Sequence, residues 1–180
     1  MFKFQEKILL KRIRNGDRFA FTRLYHAYVE KVFRFTYFRV KNKEIAEDLT
    51  SLTFFKILDY LKDDSQEIKD FRAFLYKTVR NLIADFYRKS LTKKEIVFAK
   101  EIDLDKVDKE APQDIFLNSE IKEVEKALGK LPHLYREPII LHFIEGFSSK
   151  EIAEILNESK ENVRVRIHRG LKLLREILKN

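Results

Sequence analysis

The chain has 180 residues with 37 Lys or Arg and 29 Asp or Glu, a formal net charge of +8 that favours a polyanionic partner. It has no cysteine, which excludes a disulfide framework and thiolate metal sites, and its four histidines (His26, His133, His142, His168) form no ligand spacing with Asp or Glu. The opening MFKFQEKILLKRIRNGD is too charged for a signal peptide and no apolar run approaches ~20 residues, so a soluble cytoplasmic protein without membrane insertion or cofactor is expected.

Helical periodicity dominates from there on. In DRFAFTRLYHAYVEKVFRFTYFRV, residues 17–40, Phe21, Leu24, Tyr25, Tyr28, Val32 and Phe35 recur at three and four positions and predict one wide apolar face. NKEIAEDLTSLTFFKILDYL, residues 42–61, predicts a second helix that is apolar on two sides. Ile45, Leu49 and Leu52 form one side; Phe54, Leu58 and Leu61 form the other. Such a helix is sandwiched within its own domain or turns one face to a partner. DFRAFLYKTVRNLIADFYRKS, residues 70–90, predicts a third helix with Asp70 as N-cap and Phe71, Leu75, Val79, Leu82 and Phe86 inward.

Around Leu91 the character changes to short alternation, many acids and a proline. Residues 1–90 carry 20 basic and 12 acidic side chains, residues 91–118 carry 5 and 7, and residues 119–180 carry 12 and 10. The acidic middle reads as a linker between two helical domains, 1–90 and 119–180. Within the last part charge is polarised: from Asn162 to Asn180 there are six basic residues and one acid.

The tail reads as a helix-turn-helix. Ser148 followed by Glu151 is a capping box, Ile152, Ala153, Ile155 and Leu156 face inward, and Ala153 is small where two helices cross. Asn157 suits the left-handed residue that ends a helix, and Ser159 caps the next. At ~100° per residue, Val163, Ile167, Gly170, Leu171, Leu174 and Leu178 of that helix share one side. Glu161, Asn162, Val165, His168, Arg169 and Lys172 lie opposite, with Arg164 and Arg166 on the flanks. A helix in a DNA major groove needs that division: outward side chains meet base edges and flanking cations reach phosphates. Arg169 suits guanine, Asn162 adenine and Val165 a thymine methyl.

The pieces GDRFAFTRLYHAYVEKVFRF, AEDLTSLTFFKILDYL and FRAFLYKTVRNLIADFYRK in front, with LPHLYREPIILHFIEGFSSKEIAEIL and NVRVRIHRGLKLLREIL behind, resemble the bacterial sigma factors of RNA polymerase. The resemblance is to the compact extracytoplasmic-function group. It implies an all-α protein of two helical domains that binds core RNA polymerase and promoter DNA and catalyses nothing itself, with an anti-sigma factor as a further partner. Residues 1–90 then dock on the polymerase and capture the melted minus-ten element, residues 119–180 read the minus-thirty-five duplex, and 91–118 thread between. Glu47, Asp48, Ser51, Leu52 and Phe54 match the polymerase-docking stretch. Sequences of this group often carry Gln and Glu where this chain has Ser51 and Leu52. Asn81 matches a position lining a pocket for a flipped minus-ten base, and the loop of Lys62, Asp63, Asp64 and Ser65 begins the segment that selects it. Tyr76, Arg80, Tyr87 and Arg88 are further contributors, the tyrosines as stacking faces. Trp is common in the group where Phe74 stands. In the tail, Arg164 and Arg166 match phosphate-contacting positions and Val165, His168 and Arg169 base-facing ones.

One rival is an autonomous helix-turn-helix regulator whose front domain senses a ligand or dimerises. A nucleic-acid enzyme would need a carboxylate cluster for metal, and adjacent Glu47 and Asp48 point ~100° apart on a helix. The isolated glycines Gly16, Gly129, Gly146 and Gly170 form no phosphate-cradling loop, so no small-molecule substrate is expected.

Overall fold

The computed structural model describes residues 3–63, 68–90 and 126–179. The proposed linker 91–118 and the loop residues Asp64 and Ser65 lie outside them. The described residues are helical, with no strand among them, and fall into two compact units, one within 1–97 and one within 98–180.

The first unit holds α1 (Lys3–Arg14), α2 (Arg18–Val40), α3 (Lys43–Leu61) and α4 (Phe71–Ser90). Helix α1 was not anticipated. Its inward side is Leu9, Leu10 and Ile13, but exposed Phe4 and Ile8 spread apolar residues around the helix and blur the period. Gly16, at φ 83°, ends α1 in a Schellman turn: the Asp17 N–H donates to the Arg12 carbonyl and the Gly16 N–H to that of Ile13. Asp17 then caps α2 by accepting from the Ala20 N–H at 3.1 Å, while the Arg12 Nε donates to its other oxygen at 2.7 Å. These two hydrogen bonds, the backbone one foremost, hold the Asp17 carboxyl below the usual carboxylate range. Asn42 caps α3 through the Ile45 N–H, and Asp70 caps α4 through the Ala73 N–H as expected.

Helix α2 touches all three neighbours. Its rings meet theirs edge to face: Tyr25 on Phe54 of α3 at 4.8 Å, Tyr28 on Phe71 and Phe35 on Tyr76 of α4 at 5.5 and 5.2 Å. Each such pair adds about 0.5–1.5 kcal/mol beyond its buried area. Buried Thr36, Thr50 and Thr53 donate to the carbonyls four residues back, so no hydroxyl is left unpaired among these three. The Tyr28 hydroxyl donates to Glu6 of α1, both residues being buried. Burial first, then that hydrogen bond, pushes the Tyr28 phenol far above its ordinary value, so it stays a donor.

The second unit holds α5 (His133–Ile139), a π-helical turn (Ile140–Ile144), α6 (Ser149–Leu156) and α7 (Lys160–Lys179). The Arg136 guanidinium, buried, donates from Nε and Nη2 to the Leu131 carbonyl at 3.1 and 2.7 Å and satisfies chain ahead of α5. In the π-helical turn the Glu145 N–H reaches the Ile140 carbonyl, and the His142 Nδ1–H donates to the Phe147 carbonyl at 2.7 Å. The capping box of Ser148 and Glu151 is present, Asn157 sits at φ 58°, and the Asn162 N–H donates to the Ser159 hydroxyl at 3.1 Å. Helices α6 and α7 are therefore joined by a three-residue turn. Helix α7 packs on both α5 and α6. At the α5 crossing a Cβ on Gly170 would lie 2.6 Å from Ile139 Cδ1 and 3.0 Å from Tyr135 Cβ.

Tyr28→Phe should destabilise the first unit by about 1–3 kcal/mol by leaving the buried Glu6 carboxyl without this donor. Urea unfolding checks it, and a Glu6→Gln variant, which keeps an acceptor, should lose less. Gly170→Leu should lower the stability of the second unit by about 1–3 kcal/mol despite the better helix propensity of Leu, because the crossing has no room. Thermal unfolding followed by circular dichroism reads the sign.

Candidate nucleic-acid interface

Helix α7 is divided lengthwise. Val163, Ile167 and Gly170 are buried, whereas Glu161, Asn162, Arg164, Val165, His168, Arg169 and Lys172 are exposed. Burial fixes which way the exposed set points, since rotating the helix would drag Val163 and Ile167 into water. Val165 is 45% exposed, an apolar side chain flanked by cations. The wheel fails near the end: Leu171 and Leu174 are half-buried and Leu178 is 57% exposed, because the described neighbours cover only the first half of the stripe.

Arg166 also departs from expectation. It is a partly buried side chain, not an open flank, and its Nη1 pairs with Glu158 Oε1. The other oxygen of Glu158 accepts from Asn162 Nδ2 at 3.1 Å. Glu158 was not singled out in the sequence, where it is one acid in a turn. Its place one and two helical turns ahead of Asn162 and Arg166 was the available signal.

On α3, Glu47, Asp48, Ser51 and Leu52 are exposed, Leu52 at 41%. Phe54 is 3% exposed and packs on Tyr25, so it is core and its assignment to a partner-facing side is corrected. The outward ring is Phe55, at 64% exposure, one residue on and in line with Asp48, Ser51 and Leu52. Two adjacent phenylalanines on a helix that is apolar on two sides left the choice open.

On α4, Asn81 is exposed and Arg80 half-buried. Arg88 is exposed and pairs with Asp85 at 2.7 Å. Tyr76 is 1% exposed against Phe35, and Tyr87 is 6% exposed with its hydroxyl donating to the Arg39 carbonyl at 2.7 Å. Neither ring offers a face to a base, which corrects their assignment as stacking contributors. Exposed Lys62, which pairs with Asp59 at 3.2 Å, and exposed Asp63 end α3. Among the described residues no group of His, Asp and Glu gathers to hold a metal, and no helix is long and apolar enough to cross a membrane.

An α7 with this outer face fits a major groove about 12 Å wide, which admits one helix with its side chains. The α3 face, apolar with an acidic margin, has the chemistry of a protein contact.

Comparison with known proteins covers both units. The family Sigma-70 region 2 matches residues 24–92, and Sigma-70, region 4 matches residues 121–174. The ECF RNA polymerase sigma factor SigW of Bacillus subtilis is 30% identical over 183 residues, spanning 95% of this chain and 95% of the relative. The ECF RNA polymerase sigma factor BldN of Streptomyces coelicolor is 31% identical over 171 residues, 94% of this chain; the chain spans 64% of that relative's length. The solved structure of the sigma factor RpoE in complex with the anti-sigma factor NepR from Bartonella quintana shares the fold, with a TM-score of 0.67, 24% identity and coverage of 88% of this chain and 96% of that one. With both regions matched in order and a relative aligned over nearly its whole length, the chain belongs to the extracytoplasmic-function group of the sigma-70 family.

Proposed function

We propose that this chain binds core RNA polymerase and directs promoter-specific transcription initiation, working in the cytoplasm by binding and strand capture without catalysis of its own. The observation that carries this most is the outer face of α7, where seven exposed residues of mixed base-reading and cationic chemistry are held by a buried inner face. Residues 119–180 read the upstream promoter element through that face. Arg169 donates to a guanine edge, Val165 meets a thymine methyl, Asn162 meets adenine, and Arg164 and Lys172 reach phosphates.

Residues 1–90 serve the polymerase and the downstream element. The α3 stripe of Asp48, Ser51, Leu52 and Phe55, with Glu47 at its margin, is the polymerase contact. Asn81 meets an unstacked minus-ten base, with Arg80 and Arg88 beside it on α4 and the loop from Lys62 and Asp63 through Asp64 and Ser65 selecting that base. The acidic segment 91–118 joins the two. An anti-sigma factor is a further partner, as one is for the Bartonella quintana sigma factor. The rival reading, an autonomous operator-binding regulator that dimerises through its front domain, is disfavoured by the match of both regions, in order, to the sigma-70 family.

Run-off transcription with core polymerase tests the proposal: adding the chain should produce selective initiation, and no gain in selectivity would refute it. Replacing both Leu52 and Phe55 by Ser should weaken retention by core polymerase roughly tenfold, while unfolding stability stays within about 0.5 kcal/mol because both side chains are exposed. Arg169→Ala should cost about 1–3 kcal/mol and relax base preference at one upstream position, read from initiation on a promoter library.

A further inference from the structure

We infer that Glu158, in the turn ahead of α7, is a positioning residue for base readout: its carboxylate presets the Asn162 amide for an adenine edge and withholds Arg166 from the phosphates. This rests on α7 lying in the major groove, as proposed above.

Both oxygens of Glu158 are engaged, Oε2 by Asn162 Nδ2 at 3.1 Å and Oε1 by Arg166 Nη1. The ion pair is sheltered, with side chains 17% and 23% exposed, unlike the open pairs Lys62–Asp59 and Arg88–Asp85. Shelter matters because a fully solvated pair is screened and contributes little. A carboxylate only accepts, so the Asn162 amide must turn its nitrogen towards Glu158, and its orientation is set by that chemistry. What remains for a partner is the Oδ1 acceptor beside one N–H donor. Adenine offers the complement in the major groove, an N6–H donor beside the N7 acceptor. An untethered amide can instead turn its N–H groups to guanine, whose N7 and O6 both accept. Glu158 thus supplies discrimination without touching DNA.

The same carboxylate cancels the charge of Arg166. A bare acid at this place would repel the phosphate backbone, and a bare arginine would add a phosphate contact blind to sequence. The pair removes both effects and leaves the flank opposite Arg164 electrically quiet.

The test uses the full chain with core polymerase on promoters randomised across the upstream element, with binding also followed against salt. Glu158→Ala should reduce the preference for adenine at one upstream position at least about fivefold. Glu158→Gln, whose amide can donate as well as accept and so leaves the Asn162 amide free to turn, should reduce that preference too, by a smaller factor. Both variants should steepen the fall of log affinity with log salt by about 0.9, the signature of one added phosphate contact. In an Asn162→Ala background, Glu158→Ala should change nothing further at that position. A Glu158→Ala protein with unaltered base preference and salt slope would overturn the inference, as would a loss of preference that persists in the Asn162→Ala background. A purely structural role would show as lower thermal stability in Glu158→Ala with preference lowered at all positions alike, and it too would overturn the inference. If the unmodified chain shows no upstream preference at all, the groove placement of α7 fails, and this inference with it.

Discussion

The outer face of α7 depends on how that helix is seated. Val163, Ile167 and Gly170 are buried where α7 packs on α5 and α6, and at Gly170 an added Cβ would press on Ile139 and Tyr135 of α5. That contact sets the rotation of α7 about its own axis. Once rotation is set, every outward residue has its direction, because side chains on a helix are separated by about 100° per residue. The direction of the outer face, proposed above to read bases, is therefore a consequence of packing on the opposite side. The close approach also holds the outer side chains on a rigid element, which a DNA reader needs in order to present several contacts in register.

The first unit follows a related logic with a different outcome. Helix α2 is enclosed by α1, α3 and α4, and its aromatic residues contact α3 and α4 by edge-to-face rings. Enclosure on that scale consumes one apolar side of α3, through Phe54, Ile57 and Leu61, and leaves Leu52 and Phe55 outside. Exposed large apolar side chains in line on a helix are costly in water unless something covers them. Among the described residues the neighbours of α3 cover Leu49 as well as Phe54, Ile57 and Leu61, and leave a short stripe of Leu52 and Phe55 exposed.

Electrostatics in the second unit work by cancellation as much as by attraction. The tail is rich in cations, yet Arg166 is held by Glu158 and the buried Arg136 donates to the Leu131 and Gly129 carbonyls. Net charge read along the chain therefore overstates the positive surface offered to DNA. Of the exposed cations of α7, Arg164, Arg169 and Lys172 sit among Asn162, Val165 and His168, on the face proposed to meet DNA.

Sequence alone determined α2, α3, α4, α6 and α7, but not α1, α5 or the π-helical turn. Asp70, Asn157, the box of Ser148 and Glu151, and the Ser159 cap were legible because each acts on backbone groups within about four residues. The inner face of α6, and that of α7 as far as Gly170, were legible too, since an apolar stripe at helical period has one way to be buried. Helix α1 was missed because Phe4 and Ile8 disguised its period. Only the tertiary structure decided that Phe54 is core and Phe55 outward, that Tyr76 and Tyr87 are interior, that Leu178 is uncovered and that Arg166 is paired. The reason is physical: caps and periodicity are local, whereas burial and pairing depend on which other helix, distant along the chain, comes to lie on each side.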